Sequence, residues 1–134
     1  MTRALGVGLL GLGTVGSAVA RAMGERAKRL EAAAGHPLRL VGACARDTAK
    51  SRDAAGVAVT TDAFALLDDP AVDVVVEVIG GTEPALDLHL AAFERGKHVV
   101  TANKELVAKE WRQLHEAARL AKRELRFEAA VAAA

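Results

Sequence analysis

The sequence predicts an α/β fold in which helices pack against a buried parallel sheet. First, short apolar runs alternate along the chain with longer amphipathic segments. Second, the first apolar run, residues 4–10, ends in the turn Gly11-x-Gly13-x-x-Gly16, and a helix-compatible segment follows at once. Third, hydrophobic residues make up 51% of the chain and aromatic residues only 3%. Small aliphatic side chains of this kind suit helices packed on a parallel sheet.

The glycine turn has the order strand, turn, helix that is typical of a dinucleotide-binding fingerprint. Gly11 permits the tight turn, Gly13 leaves room for a pyrophosphate, and Gly16 lets the helix approach the strand closely. Thr14 and Val15 open the helix, whose free N–H groups and dipole favour negative charge. The sequence therefore predicts a phosphate site at residues 11–16.

A signal peptide is the alternative for the same stretch. Arg3 precedes the apolar run, and Ala18-Val19-Ala20 has the A-x-A pattern of a cleavage site. However, the glycines within residues 6–16 would weaken the helical segment that a signal peptide needs. The rest of the chain also forms a series of predicted βα units that need this strand.

Length and charge limit the possible functions. The length of 134 residues predicts one domain, 1–134. The net charge is +1, from 18 basic and 17 acidic residues, and it gives no support for nucleic acid or a membrane surface as a partner. The apolar runs are shorter than the roughly 18 residues that span a membrane. The single cysteine, Cys44, excludes an internal disulfide and fits a reducing compartment, so we expect a cytoplasmic protein.

The remaining segments continue the alternation of strand and helix. Further strands are predicted over 38–45, 56–60, 72–79, 98–101 and 125–129. Helices are predicted over 15–33, 62–68, 83–95 and 106–122. Thr61 or Asp62 and Asn103 are the expected N-caps, and Trp111 is expected in the core. This order predicts a Rossmann-type, doubly wound parallel sheet of about six strands with helices on both faces.

In such sheets, ligands bind outside the carboxyl ends of the strands. The turn after the second strand contains Arg46 and Asp47. An acidic side chain there binds the ribose 2′-hydroxyl of NAD, whereas an arginine pairs with the 2′-phosphate of NADP. Arg46 comes first and Lys50 follows nearby, which favours NADP, while Asp47 keeps NAD open.

Two later turns also end predicted strands. Gly80-Gly81-Thr82 allows the backbone to approach a ribose or nicotinamide, or is an ordinary turn. Asn103-Lys104 places a lysine where it can donate a proton or orient a carbonyl, although a lysine there is more often a surface residue. The four histidines do not cluster at metal spacing, and the absence of tyrosine excludes a Tyr-x-x-x-Lys dehydrogenase site.

Four stretches of the sequence closely resemble homoserine dehydrogenase: 7–16, 77–85, 96–104 and 127–132. The resemblance runs over essentially the whole chain, and the second and third stretches are more specific than the glycine motif. It implies an NAD(P)-dependent oxidoreductase that interconverts L-aspartate 4-semialdehyde and L-homoserine, on the route to threonine and methionine. It also implies that the turns at 80–82 and 103–104 bind the cofactor and that Lys104 lies at the active site.

The same resemblance implies a monovalent-cation site, sodium being expected, whose beginning is matched by Glu128 and Val131. The family continues into a substrate domain with acidic substrate-binding residues, a second active-site lysine and most contacts of a homodimer. We therefore expect this chain to bind NADP(H) without turning over substrate alone. Two alternatives remain open, namely another amino-acid dehydrogenase such as an aspartate dehydrogenase, and a non-catalytic nucleotide-sensing module.

Overall fold

A computed structural model describes residues 3–47, 54 and 56–127. Within these ranges the strands are β1 Leu5–Leu10, β2 Leu38–Cys44, β3 Val59–Thr60, β4 Val74–Glu77, β5 His98–Thr101 and β6 Leu125–Phe127. The helices are α1 Thr14–Glu25, α2 Ala27–Ala34, α3 Ala63–Asp68, α4 Ala85–Glu94 and α5 Lys104–Ala121. The predicted alternation of strand and helix is confirmed.

The strands form one sheet in the order β3-β2-β1-β4-β5-β6, and every neighbouring pair is parallel. This is the strand order of the doubly wound dinucleotide-binding fold, in which the direction of winding reverses between β1 and β4. The predicted Rossmann-type sheet is therefore confirmed. Because all strands are parallel, their carboxyl ends and the turns that follow them lie along one edge.

The core lies on both faces of this sheet. Successive strand residues point to opposite faces, so Leu9 and Leu10, both 0% exposed, enter different clusters. Leu9 packs with Ala20 of α1, whereas Leu10 packs with residues of α3, α4 and α5. The apolar run that also allowed a signal peptide is thus the buried strand β1. None of the helices in the described part of the chain is long and apolar enough to cross a membrane.

Local sequence explains where most helices begin. The Asp62 carboxylate accepts hydrogen bonds from Phe64 N and Ala65 N and caps α3, as predicted. Asn103 Oδ1 accepts from Leu106 N at 3.1 Å and caps α5, also as predicted. The single first helix predicted over 15–33 is wrong, because Arg26 leaves helical geometry at φ −118° and ψ 29° and separates α1 from α2.

The prediction that Trp111 lies in the core is also wrong. Its side chain is 50% exposed and stacks on His115, with ring centroids 5.4 Å apart. The backbone at Glu110 departs from helical values at φ −122° and ψ 22°, which kinks α5. Leu106 before the kink and Leu114 after it are buried instead, because the kink interrupts the periodicity on which the prediction depended.

Candidate functional site

The glycine turn joins β1 to α1 at very close range. Gly11 has φ +112°, and its N–H donates to Cys44 O of the neighbouring strand at 2.9 Å. A Cβ on Gly16 would lie 1.9 Å from Gly11 O, so only glycine lets α1 start this close to the turn. The roles predicted for Gly11 and Gly16 in the backbone are thus present in the fold.

Gly13 differs from these two glycines because the space beside it is open. It is exposed, and no atom of the described residues lies within 4 Å of the position that its Cβ would take. Within the described part of the chain no side chain caps α1, and Ser17 N, which donates to Gly13 O at 2.9 Å, makes the first intrahelical bond. The N–H groups of Thr14, Val15 and Gly16 therefore have no acceptor within the helix. An anion can occupy this position without displacing protein atoms.

A cleft of about 440 Å³ lies beside this turn, at the carboxyl ends of the central strands. Gly13 and Arg46 line it, and Ile79 and Pro84 bring the start of the third turn to its wall. Arg46 and Asp47, which follow β2, are exposed. The fold thus brings the first two predicted turns and the residues that flank the third to one cavity, whereas Lys50 lies outside the described residues.

The third and fourth turns are tied to each other. Gly80 and Gly81 adopt φ +86° and +74°, and Asn103 Nδ2 donates to Gly81 O at 2.5 Å. Asn103 is 4% exposed, so its amide joins the two turns in addition to capping α5. Thr82 O accepts from Leu86 N, and Lys104 is the exposed first residue of α5.

A buried carboxylate lies beneath these turns, and the sequence reasoning did not predict it. Glu77, at the end of β4, is 0% exposed, and Oε1 accepts from His89 Nε2 at 2.7 Å and Thr101 Oγ1 at 2.8 Å. Burial alone would raise the pKa of Glu77, but the hydrogen bonds from His89, Thr101 and Gly80 N hold that pKa below its ordinary value. The sequence signal that could have indicated this carboxylate is an acidic residue at the end of the β-branched run Val74–Val76.

Among the described residues, Cys44 is not a reactive thiol and no metal site is found. Burial and the nearby Asp62 carboxylate raise the pKa of the Cys44 thiol, which disfavours the reactive thiolate. Glu128 and Val131 lie outside the described residues. Within 3–47, 54 and 56–127, no three His, Cys, Asp or Glu side chains are grouped as metal ligands.

A second cleft, of about 360 Å³, lies between α5 and β6. Its arginines already have partners: Arg119 pairs with Glu116, Arg126 pairs with Glu124, and Arg123 Nε donates to Gly96 O. It lies at the amino end of β6, away from the glycine turns. The first cleft is therefore the candidate functional site, because ligands of this fold bind at the carboxyl ends of the strands.

Comparison with known proteins identifies the family of this chain. Residues 11–128 match the family model described as the NAD-binding domain of homoserine dehydrogenase. The chain belongs to the homoserine dehydrogenase family. It is 49% identical over 134 residues to the homoserine dehydrogenase of Corynebacterium glutamicum, covering 98% of this chain and 30% of that enzyme. The family match favours homoserine dehydrogenase over the alternative of an aspartate dehydrogenase.

Solved structures give the same result for the fold. A homoserine dehydrogenase from Thiobacillus denitrificans superposes with a TM-score of 0.90 at 44% identity, covering 96% of this chain and 30% of that one. GenD2 from gentamicin A biosynthesis, solved in complex with NAD, superposes with a TM-score of 0.75 at 26% identity. The match covers 95% of this chain and 35% of the GenD2 chain. This chain is thus a nicotinamide dinucleotide-binding domain that spans about 30% of its homoserine dehydrogenase relatives.

Proposed function

We propose that this chain binds NADP(H) in preference to NAD(H) across the carboxyl edge of its sheet. The observation that carries the proposal is the open N-terminus of α1, where no side chain of residues 3–47, 54 and 56–127 caps the helix and a Cβ on Gly13 would touch none of their atoms within 4 Å. The N–H groups of Thr14, Val15 and Gly16, together with the helix dipole, then face the pyrophosphate. Gly11 supports the proposal by setting the turn that aims them.

Arg46 is the proposed determinant of the preference for NADP(H). It lines the same cleft and follows β2, where this fold holds the ribose of the adenosine. A guanidinium there binds a 2′-phosphate through paired, charge-assisted hydrogen bonds. We propose Lys50 as a second cation for that phosphate. Asp47, beside Arg46, is the residue that would instead hold the 2′-hydroxyl of NAD(H).

The third and fourth turns are the proposed nicotinamide end of the site. Gly80, Gly81 and Thr82 offer backbone groups, and Asn103 fixes their distance from Lys104. The nicotinamide, when bound, supplies or accepts a hydride. The exposed Lys104 ammonium then places positive charge, and a proton that it can transfer, beside the oxygen of the reacting carbonyl.

In the longer enzyme, we propose that this domain serves the interconversion of L-aspartate 4-semialdehyde and L-homoserine in a cytoplasmic homodimer. A monovalent-cation site beginning at Glu128 and Val131 belongs to the same proposal. Because the chain spans 30% of the Corynebacterium relative, we propose that it binds cofactor but does not turn over substrate alone. Measurable homoserine oxidation by the purified chain would overturn that last proposal.

Calorimetric titration with NADPH and with NADH tests the site. The expected result is NADPH binding that Arg46→Ala weakens by about tenfold or more, the value of one lost charge-assisted hydrogen bond, with NADH binding nearly unchanged. Arg39→Ala is the matched control, because Arg39 is exposed near the amino end of the same strand. Equal losses for both cofactors would remove Arg46 from its role, and no binding of either by the unmodified chain would overturn the proposed function.

A further inference from the structure

The buried cluster around Glu77 is the part of the site that the proposed function does not use. Glu77 Oε1 accepts hydrogen bonds from His89 Nε2 and Thr101 Oγ1, at 2.7 and 2.8 Å. Oε2 accepts from Ile79 N at 2.8 Å and from Gly80 N at 3.2 Å. Glu77, His89 and Thr101 are all at most 1% exposed, so the cluster lies beneath the surface of the cleft.

Every partner of the ionised carboxylate donates to it, His89 in the tautomer that carries its proton on Nε2. Ile79 N and Gly80 N can only donate, and Thr101 Oγ1 already accepts from Asn103 N at 2.9 Å, so its own proton faces Glu77. An ionised carboxylate accepts these four bonds and a longer fifth one, from Asn103 Nδ2 to Oε2 at 3.5 Å, whereas a neutral acid or an amide would direct a hydrogen at one of the donors. The lowered pKa of Glu77 agrees with this geometry.

Burial of a charge is costly even when it is well paired, and apolar side chains often stabilise a core as well or better. A second cost is visible at His89, whose Nδ1 is buried without a hydrogen-bond partner among the described residues. Polar groups that are expensive for the fold are often retained for the geometry that they impose. The contacts of Glu77 indicate which geometry this is.

Both turns at the proposed nicotinamide end depend on Glu77. Its Oε2 holds Gly80 N, the first glycine of the third turn, and its backbone carbonyl accepts from Ala102 N at 3.2 Å in the fourth turn. Asn103, whose N–H is held by Thr101 Oγ1, then bonds Gly81 O. One residue thus sets the distance between the glycines at 80–81 and the first residue of α5, Lys104.

We infer that Glu77 is a positioning residue for the nicotinamide half of the cofactor site. It holds the third and fourth turns, and with them Lys104, in the arrangement that binds the nicotinamide riboside, without touching the cofactor itself. The phosphate turn at residues 11–16 shares none of the Glu77 side-chain hydrogen bonds. Loss of the carboxylate should therefore affect one half of the dinucleotide and spare the other. This inference rests on the proposed function.

The test compares two ligands on the same chain by calorimetry. NADPH carries both halves, whereas 2′-phospho-ADP keeps the adenosine, the 2′-phosphate and the diphosphate but lacks the nicotinamide riboside. If the unmodified chain binds NADH more tightly than NADPH, the test uses NADH in place of NADPH and ADP in place of 2′-phospho-ADP. Glu77→Gln should weaken binding of the complete dinucleotide at least tenfold and change binding of the adenosine fragment less than twofold. A general loss of folding would weaken both ligands alike.

A second pair of variants keeps the test decisive if Glu77→Gln does not fold. Thr101→Val removes the hydroxyl that bonds both Glu77 Oε1 and Asn103 N, and should show the same selective loss. Thr101→Ser keeps the hydroxyl and should bind both ligands as the unmodified chain does. Equal losses for the two ligands in folded variants, or unchanged NADPH binding, would overturn the inference.

The unmodified chain separates this inference from the proposed function. If it binds 2′-phospho-ADP but not NADPH, the inference fails while the phosphate site stands. If it binds neither ligand, the proposed function fails as well.

Discussion

Gly13 and Gly16 provide a paired experiment that separates binding from folding. Both belong to the same turn, and the same change, glycine to alanine, adds one methyl group to each. The structure predicts opposite outcomes because the surroundings differ. A Cβ on Gly13 would meet no atom within 4 Å, whereas a Cβ on Gly16 would lie 1.9 Å from Gly11 O and 2.7 Å from Gly11 C.

For Gly16→Ala the magnitude follows from that contact. Ordinary van der Waals contact begins at 3.4 Å, so α1 and the turn must separate by about 1.5 Å, the difference between 3.4 and 1.9 Å. Overpacking on this scale costs about 3 kcal/mol. In a domain of this size that corresponds to a fall in Tm of about 10 °C.

For Gly13→Ala the fold should hardly change. Gly13 has φ −74°, which alanine adopts without strain. Alanine is about 1 kcal/mol poorer than glycine as an N-cap, but it restricts the unfolded chain by a comparable amount. Binding should change greatly, because in the proposed site the methyl group would stand where the pyrophosphate meets the first helical turn. Loss of one or two charge-assisted hydrogen bonds weakens binding by about 100-fold.

Thermal unfolding followed by circular dichroism measures the first quantity, and calorimetric titration with NADPH measures the second. The reasoning requires Gly16→Ala to lose stability and Gly13→Ala to lose affinity while its Tm stays within about 3 °C. If Gly13→Ala bound NADPH as tightly as the unmodified chain, the phosphates would not lie against Gly13. If Gly16→Ala kept its Tm, the close approach of α1 to the turn would be wrong.

Two further predictions concern stability. Lys97, 7% exposed, donates through Nζ to Asp69 O and Val72 O at 2.9 and 2.6 Å. Lys97→Met should cost about 2 kcal/mol by chemical denaturation, because Val72 O loses the Nζ donor and Asp69 O keeps only the backbone N–H of Val72. The exposed Lys109→Met should cost almost nothing. Burial opposes ionisation of Glu77 and Asp73, but hydrogen bonds lower the pKa values of both carboxyl groups in the folded state. The stability that their ionised forms contribute should therefore be complete above the unfolded pKa of about 4, and it should be lost as the pH falls through the lower folded pKa values. Denaturation measured from pH 6 to pH 2 should show this loss, and Glu77→Gln should flatten the curve; an unchanged slope would contradict the pKa shift.

The sequence predicted the sheet well because the signals are local. A β-branched run such as Val74–Val76, or a cap such as Asp62, depends on neighbours in the chain, and both are found as predicted. The failures arise where a local deviation overrides the pattern. Arg26 breaks the first helix and Glu110 kinks α5, and neither residue has a side chain that marks such a change.

The candidate site likewise has a part that local sequence predicts and a part that it does not. The positions of the glycine turn and of Arg46 at the cleft follow from motif and spacing, because the motif sets the path of the backbone at this edge of the sheet. Their roles in phosphate binding stay predictions. The cluster at Glu77 could not be predicted, because its partners His89 and Thr101 are 12 and 24 residues away in sequence. Only the parallel pairing of β4 with β5 and the packing of α4 bring these side chains together.

The costs to stability lie together at one edge of the sheet. The N-terminus of α1 has no side-chain cap, Glu77 is a buried charge, and Lys104 places a cation at the N-terminus of α5, where the helix dipole disfavours it. A fold selected for stability alone would cap α1, replace Glu77 by an apolar side chain and exchange Lys104 for an acid. In the proposed function, two of these departures serve an electron-rich ligand: the free N–H groups of α1 bind phosphates at one end, and the Lys104 ammonium faces a carbonyl oxygen at the other. Glu77 holds the turns around Lys104 without touching the ligand. The two ends lie on opposite sides of the point between β1 and β4 where the winding reverses, which is where an extended dinucleotide binds in this fold.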